Sequence, residues 1–324
     1  MKNLDLSIVI PAFNEKESLP ELYKSITKSL KKRNLRYEII FVDDGSEDST
    51  WNEIKKILSL DKKNKGLKLK KNYGKSDALD AGFNISEGKY VLTMDADLQD
   101  DPDEIYKLFK FINEKNFDLV SGWKKKRNDP LNKTIPSKFF NYVTRTFSGI
   151  QLNDFNCGIK IYKSEVVKSI NLYGEMHRYI PLIAKWNGFR FIGEKIVNHN
   201  KRKFGKSKFG MERYIRGFLD LLSVSFVYRF KQRPMHFFGT IGVIFFLLGF
   251  ISFGLIIYEK LFKIYQNISI DLIRPVTEQP LFYVALVAII LGVQLFLVGF
   301  LSELIIQINS EKKRYKIEKI KNVK

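Results

Sequence analysis

Residues 234–258 (PMHFFGTIGVIFFLLGFISFGLIIY) and 279–302 (QPLFYVALVAIILGVQLFLVGFLS) run for 25 and 24 positions without Asp, Glu, Lys or Arg. About 20 such residues, wound as a helix, cross the roughly 30 Å hydrocarbon core of a bilayer. Core helices of soluble proteins rarely stay uncharged for so long. Two transmembrane helices are therefore predicted, over 234–258 and 279–305, joined by an external loop over 259–278.

Orientation follows from the flanks. The tail from Glu311 to Lys324 carries seven Lys or Arg against two Glu, and residues 201–233 carry ten against two acids. The 259–278 loop balances three basic residues with three acidic ones. The positive-inside rule then puts both ends, including a basic tail over 306–324, on the cytosolic face of the cytoplasmic membrane. Net charge +20 also favours an anionic leaflet, at about 1 kcal/mol per basic residue near the surface. Two spans and the lack of a nucleic-acid motif argue against nucleic acid as the partner. Between 211 and 233, apolar Tyr214, Ile215, Phe218, Leu221, Leu222 and Phe226 recur at helical spacing opposite Arg213, Arg216 and Asp220. This pattern fits an amphipathic interface helix or a packing helix of the preceding domain.

The first 210 residues alternate strand-like and helical patterns. LSIVIPAF, YEIIFVDDGS, KYVLTMDAD and FDLVSGW read as strands, and SLPELYKSITKSLKKR, STWNEIKKILSL, KSDALDAGFNIS and PDEIYKLFKFINEK as helices. Such alternation predicts an α/β domain with a mostly parallel, Rossmann-like sheet. The N-terminus reads as the first of these strands and not as a signal peptide. The single cysteine, Cys157, excludes an internal disulfide scaffold; its expected role is burial.

Parallel sheets bind ligands beyond the carboxyl ends of their strands. The predicted strands end in Pro11-Ala12-Phe13-Asn14-Glu15, Asp43-Asp44-Gly45-Ser46 and Asp95-Ala96-Asp97. No Gly-x-Gly-x-x-Gly follows the first strand and no Walker lysine motif occurs, so dinucleotide and P-loop binding are not indicated. Asp43-Asp44-Gly45-Ser46 suits either a plain turn or an acceptor for base and ribose hydrogens. Asp95-x-Asp97 suits either a helix N-cap or a hard-cation site completed by substrate phosphates. Clustered acids raise one another's pKa, and a divalent ion bridging them to a diphosphate relieves that repulsion.

Four ordered segments, VIPAFNE, FVDDGSEDST, NYGKSDALDAGF and MDADLQDDP, resemble the family-2 glycosyltransferases of GT-A fold. Within these the chain resembles the polyprenyl-phosphate type, which includes dolichol-phosphate mannose synthase and the bactoprenol glucosyltransferases, and the likeness runs from Leu4 to Gly210. The resemblance implies that Pro11, Ala12, Asn14, Glu15, Asp43, Asp44, Asn72, Lys75, Asp95 and Ala96 bind the nucleotide sugar. It implies that Asp95, Asp97 and Gln99 hold Mg²⁺ or Mn²⁺, and that Asp97, Asp100, Lys124 and Arg127 are catalytic. Lys124, Arg127, Lys138, Arg145, Arg202, Ser207 and Lys208 are the residues proposed to capture the acceptor phosphate, for which basic side chains are suited. The basic segment KFGKSKFG reads both as a gating loop and as a linker to the membrane. His177 and Arg178 are further acceptor-side candidates, and so by resemblance are Asp154 and Asn156.

The implied reaction moves a sugar, expected to be glucose from UDP-glucose, onto a polyprenyl phosphate with inversion. A phosphate monoester, with its second pKa at about 6, is largely dianionic at neutral pH and needs no strong base. Two alternatives were weighed: a processive polysaccharide synthase, against which the absence of Gln-x-x-Arg-Trp counts, and an inactive membrane scaffold. A symmetric homo-oligomer packed through the spans is also expected.

Overall fold

The computed structural model describes residues 4–125, 141–146, 148–200, 203–204, 234–269, 273–308 and 317–321. They fall into two compact units, one holding a sheet with its helices and the other holding two long helices.

The first unit begins with β1 (Leu6–Ala12), α1 (Ser18–Leu30), β2 (Tyr37–Asp43), α2 (Thr50–Leu60), β3 (Lys65–Leu69), α3 (Lys75–Ile85), β4 (Tyr90–Thr93), α4 (Asp103–Lys115) and β5 (Leu119–Trp123). There follow β6 (Lys160–Lys163), α5 (Ser164–Ser169), a 3₁₀ turn at Met176–Arg178, α6 (Ile180–Trp186) and β7 (Ile192–Ile196). The sheet order is β7-β5-β6-β4-β1-β2-β3, extended at its edge by β8 (Ile317–Lys321).

Strands β1 and β2 are apolar along most of their length, and all seven residues of β2 are buried. Helices cover both faces of a parallel sheet, so alternation is not needed there. Each covering helix contributes one stripe. Leu19, Leu22, Ile26 and Leu30 of α1 and Ile105, Leu108 and Ile112 of α4 are buried in the same core, at the three- and four-residue spacing of one helix face.

Strand β1 pairs in parallel with β2 on one side and β4 on the other, which makes their carboxyl ends a topological switch point. Strand β6 runs antiparallel to β4, with Lys160 opposite Thr93, and antiparallel to β5, with Lys160 opposite Ser121. The start of β6 and the end of β5 therefore reach the same edge as the end of β4. The sequence pattern pointed to four strands. It missed β3, whose KGLKL carries two lysines and a glycine, as well as β6 and β7.

The tail expected as a basic extension contributes β8, antiparallel to β3. Its sequence, IEKIK, has no apolar alternation by which to recognise it.

In the second unit, α7 (Pro234–Tyr265) and α8 (Pro280–Ile308) are both long and apolar enough to span a bilayer. Helix α7 runs seven residues past the predicted end at Tyr258. Charge does not end a helix: Glu259 and Lys263, one turn apart, form a 2.6 Å ion pair. The chain leaves the helix near Asn267, which adopts φ 58, a left-handed conformation that asparagine tolerates. Leu247, Leu248, Phe250, Leu286 and Val287 are exposed, as lipid-facing side chains would be. Between the helices, Gly242, Gly249 and Gly292 let the backbones approach closely. A Cβ built on Gly292 would lie 2.6 Å from Phe246 N and 2.7 Å from Gly242 O, a small-residue contact of the kind that packs membrane helices. The proposed interface helix over 211–233 lies outside the described residues.

Candidate active site

At the end of β2, Asp43 is fully buried, and its Oδ1 accepts a 2.8 Å hydrogen bond from Ser46 N. Its Oδ2 has no hydrogen-bond partner among the described residues. Asp44 spends both oxygens on the loop before α3, accepting from Tyr73 N at 2.8 Å and Gly74 N at 2.9 Å. Burial nevertheless pushes the Asp44 carboxyl up to about 6. Asp44 thus anchors the segment carrying Asn72 and Lys75. Gly45 (φ 70) allows the close approach, since a Cβ there would fall 2.6 Å from Asn72 N. Asn14 adopts φ 54 and joins the same turn, donating from its backbone N–H to Ser46 Oγ and accepting from Glu47 N through its side-chain Oδ1. Glu15 N donates to Thr50 Oγ1 at 2.8 Å, and its carboxylate accepts from Ser18 Oγ at 2.7 Å. Pro11 and Ala12 are paired with Val42 and Asp43 in the sheet; Ala12 and Ala96 are buried.

The acids at the end of β4 are held by lysines. Lys75, at the start of α3, donates to Asp95 Oδ1. Burial alone would push the Asp95 carboxyl up, but the ammonium of Lys75, reinforced by Lys124 and Lys160, holds it below the usual carboxylate value. Leu98 adopts φ 61, unusual for a branched residue. It closes a sharp turn in which Gln99 N donates to Asp97 Oδ1 at 3.2 Å. That turn carries Asp100 inward, where its side chain is 1% exposed and Lys124 Nζ stands 2.9 Å from Oδ1. Burial opposes the Lys124 charge, yet Asp100 outweighs it and raises the lysine pKa.

Gly158 stands between the two acids. A Cβ there would meet Asp95 Oδ2 closer than any real contact, Asp95 Cγ at 2.7 Å and Asp100 Oδ2 at 3.2 Å. The two carboxylates therefore converge on one spot, kept open by the absence of a side chain. Asp100 Oδ2 has no hydrogen-bond partner among the described residues. These hard oxygen donors fit Mg²⁺ or Mn²⁺. Among the described residues no three acidic, His or Cys side chains form a closed metal cage, so the fit is to an open site completed by substrate oxygens.

Other expected residues lie elsewhere. Arg145 is turned to its own loop, donating to Leu152 O and Asn153 Oδ1 at 3.1 Å each. Arg127, Lys138, Arg202, Ser207 and Lys208 lie outside the described residues. His177 Nδ1 is 3.1 Å from Ser76 Oγ, tying the 3₁₀ turn to α3. Burial pushes the Cys157 thiol up to about 12, consistent with the inert role expected of it. Sequence reasoning missed Lys160 and Gly158. The visible signal was CGIKIY, a lysine interrupting an apolar strand directly after a glycine. A larger groove lined by Lys24, Lys28, Lys31, Arg33 and Lys63 carries none of the motif residues.

The sequence profile of glycosyl transferase family 2 matches residues 7–170, which hold every acid described above. The chain is 36% identical over 312 residues to a dodecaprenyl-phosphate galacturonate synthase of Rhizobium johnstonii, covering 94% of this chain and 88% of that protein. It is 30% identical over 323 residues to an undecaprenyl-phosphate 4-deoxy-4-formamido-L-arabinose transferase of Proteus mirabilis, covering 98% and 94%. Among solved structures, glucosyl-3-phosphoglycerate synthase from Mycobacterium tuberculosis, in complex with Mn²⁺, UDP-glucose and phosphoglyceric acid, superposes with a TM-score of 0.53 at 19% identity. That match covers 68% of this chain and 80% of the other and shares the GT-A fold. The switch-point sheet, the convergent carboxylates and these likenesses agree: the chain belongs to glycosyl transferase family 2 and is a glycosyltransferase.

Proposed function

We propose that this enzyme transfers a sugar from a nucleotide sugar to a polyprenyl phosphate at the cytosolic face of the cytoplasmic membrane, with inversion at the anomeric carbon. The observation that carries the proposal is the convergence of Asp95 and Asp100 beside Gly158, in a chain that also has two membrane-length helices. The unpartnered Asp43 Oδ2 is suited to an N–H or hydroxyl of the nucleoside. Lys75 is suited to the diphosphate, releasing Asp95 as it turns. Asp95 and Asp97, with Gln99 nearby and Asp100 converging with Asp95 beside Gly158, would hold Mg²⁺ or Mn²⁺, which when bound would offset charge on the leaving diphosphate. The acceptor phosphate is its own nucleophile, and Asp100 is held in place by Lys124. Lys124, Arg127, Lys138, Arg202 and Lys208 are suited by charge to the lipid phosphate. UDP-glucose is the donor expected from the sequence. The relative named for galacturonate favours a UDP-linked uronic acid ahead of it. A homo-oligomer packed through the spans completes the proposal.

The test uses the purified full chain in detergent with undecaprenyl phosphate, Mg²⁺ or Mn²⁺, and a panel of radiolabelled nucleotide sugars. Label should enter the lipid phase from one donor and be lost with Asp97→Asn or EDTA. Metal-dependent UDP binding without lipid labelling from any donor would refute the polyprenyl acceptor.

A further inference from the structure

A narrow cleft of about 10 Å³, room for a single oxygen-sized group, is lined by Lys75, Thr93, Asn156, Lys160, His177 and Arg178 together with Tyr162 and less polar residues. Its lining includes two lysines and an arginine but no carboxylate side chain; Lys75 is already paired with Asp95. Lys160 is 3% exposed, and its ammonium donates to the carbonyl of Cys157, a neutral acceptor. Among the described residues no carboxylate lies within ion-pair distance of it, and burial lowers its pKa. Arg178 is 5% exposed. Its Nη2 reaches Glu175 at 2.6 Å, but its Nε has no hydrogen-bond partner among the described residues. The Oδ1 of Asn156 is also unpartnered, and an amide can be turned to offer its N–H groups instead.

Buried ammonium and guanidinium groups left partly unpaired are destabilising and are retained where a ligand completes them. A guanidinium and an ammonium facing one narrow space match the oxygens of a carboxylate or phosphate. We propose that Lys160 and Arg178, with Lys75 at the mouth, form an oxyanion-binding subsite for one of the two substrates, next to the Asp95 edge where the sugar is transferred. The proposal rests on the glycosyl-transfer function above. Two sources share the required chemistry: a carboxylate on the transferred sugar, as in a uronic acid, and the phosphate of the lipid acceptor.

Lys160→Met and Arg178→Gln, made in the full chain, separate these sources, and Arg178→Lys serves as the variant that keeps the charge. UDP, UDP-galactose and UDP-galacturonate are the binding probes, the two sugars differing in one carboxylate. UDP affinity should stay within twofold in all variants, which also reports that the site is folded. If the sugar carboxylate is the ligand, the wild type binds UDP-galacturonate at least tenfold more tightly than UDP-galactose. That preference disappears in Lys160→Met and Arg178→Gln and is partly kept in Arg178→Lys. If the lipid phosphate is the ligand, donor preference is unchanged and the KM for undecaprenyl phosphate rises at least tenfold. Unchanged donor preference and unchanged acceptor KM would overturn the subsite, as would a loss of UDP affinity equal to the loss for the sugars. Binding to the three probes is read without turnover, so a failure of the acceptor assignment leaves the sugar arm intact.

Discussion

Replacing Lys124 by methionine keeps the length of the side chain and removes its charge. In the native protein Lys124 Nζ lies 2.9 Å from Asp100 Oδ1, with the two side chains 13% and 1% exposed. The pair is thus largely shielded from water. Truncating one partner of a buried pair costs about 3–5 kcal/mol, because a buried charge is left uncompensated. For a unit of this size, 1 kcal/mol is roughly 2–4 °C in Tm, so Lys124→Met should melt about 6–20 °C lower. Adding Asp100→Asn removes the stranded charge and should recover most of the loss. Trp51, Trp123 and Trp186 are the only tryptophans and all lie in the sheet-bearing unit, so fluorescence-detected unfolding in detergent reports that unit. The Lys124 pKa is raised in the folded state, so its stabilising share is complete below the ordinary lysine range and is lost only as pH rises through the folded value. A single-variant loss below about 1 kcal/mol, the scale of an exposed pair, would refute the reasoning, as would a double variant no more stable than the single one.

Gly158→Ala should reduce sugar transfer about 100-fold by displacing Asp95 from its position, while changing the melting temperature little; unaltered transfer would remove Gly158 from the site. Asp44, with its pKa raised from 3.8 to about 6, binds its proton more tightly when folded. Its contribution should therefore be most favourable below about pH 4 and decline by about 3 kcal/mol as pH rises through 6. The check is whether the difference in unfolding free energy between wild type and Asp44→Asn falls over that range and levels off above it. Gly292→Val would place a side chain against Phe246 N and Gly242 O and should loosen the pairing of α7 and α8. Trypsin cleavage after Lys263, in the last turn of α7, in detergent and followed by fragment mass, should then accelerate about tenfold as the pair opens locally; an unchanged rate would show that the helices pack some other way.

The sequence by itself determined the features that are local in the chain. Twenty-odd uncharged residues specify a membrane-length helix without reference to any other segment. Buried strands such as IVIPA and IIFVD announce themselves by continuous apolar runs, and the acids that follow them mark the ligand-binding edge. Asp43, Asp95 and Asp97 were legible for that reason. Tertiary structure alone decided which partners those acids have. Thr93 meets Lys160 only because β6 runs antiparallel between β4 and β5; that pairing joins residues 67 apart in the sequence and has no periodic signature. It is this arrangement that sets Gly158 between Asp95 and Asp100, and that seats Lys124 on Asp100, a pairing the sequence reading of Lys124 as a catalytic and phosphate-binding residue did not include. The cleft cations, Lys160 and Arg178, look in the sequence like two more basic residues in a basic chain. That both are buried, Lys160 on a neutral carbonyl and Arg178 with its Nε unpartnered among the described residues, becomes visible only once the packing of distant strands and turns has removed them from water.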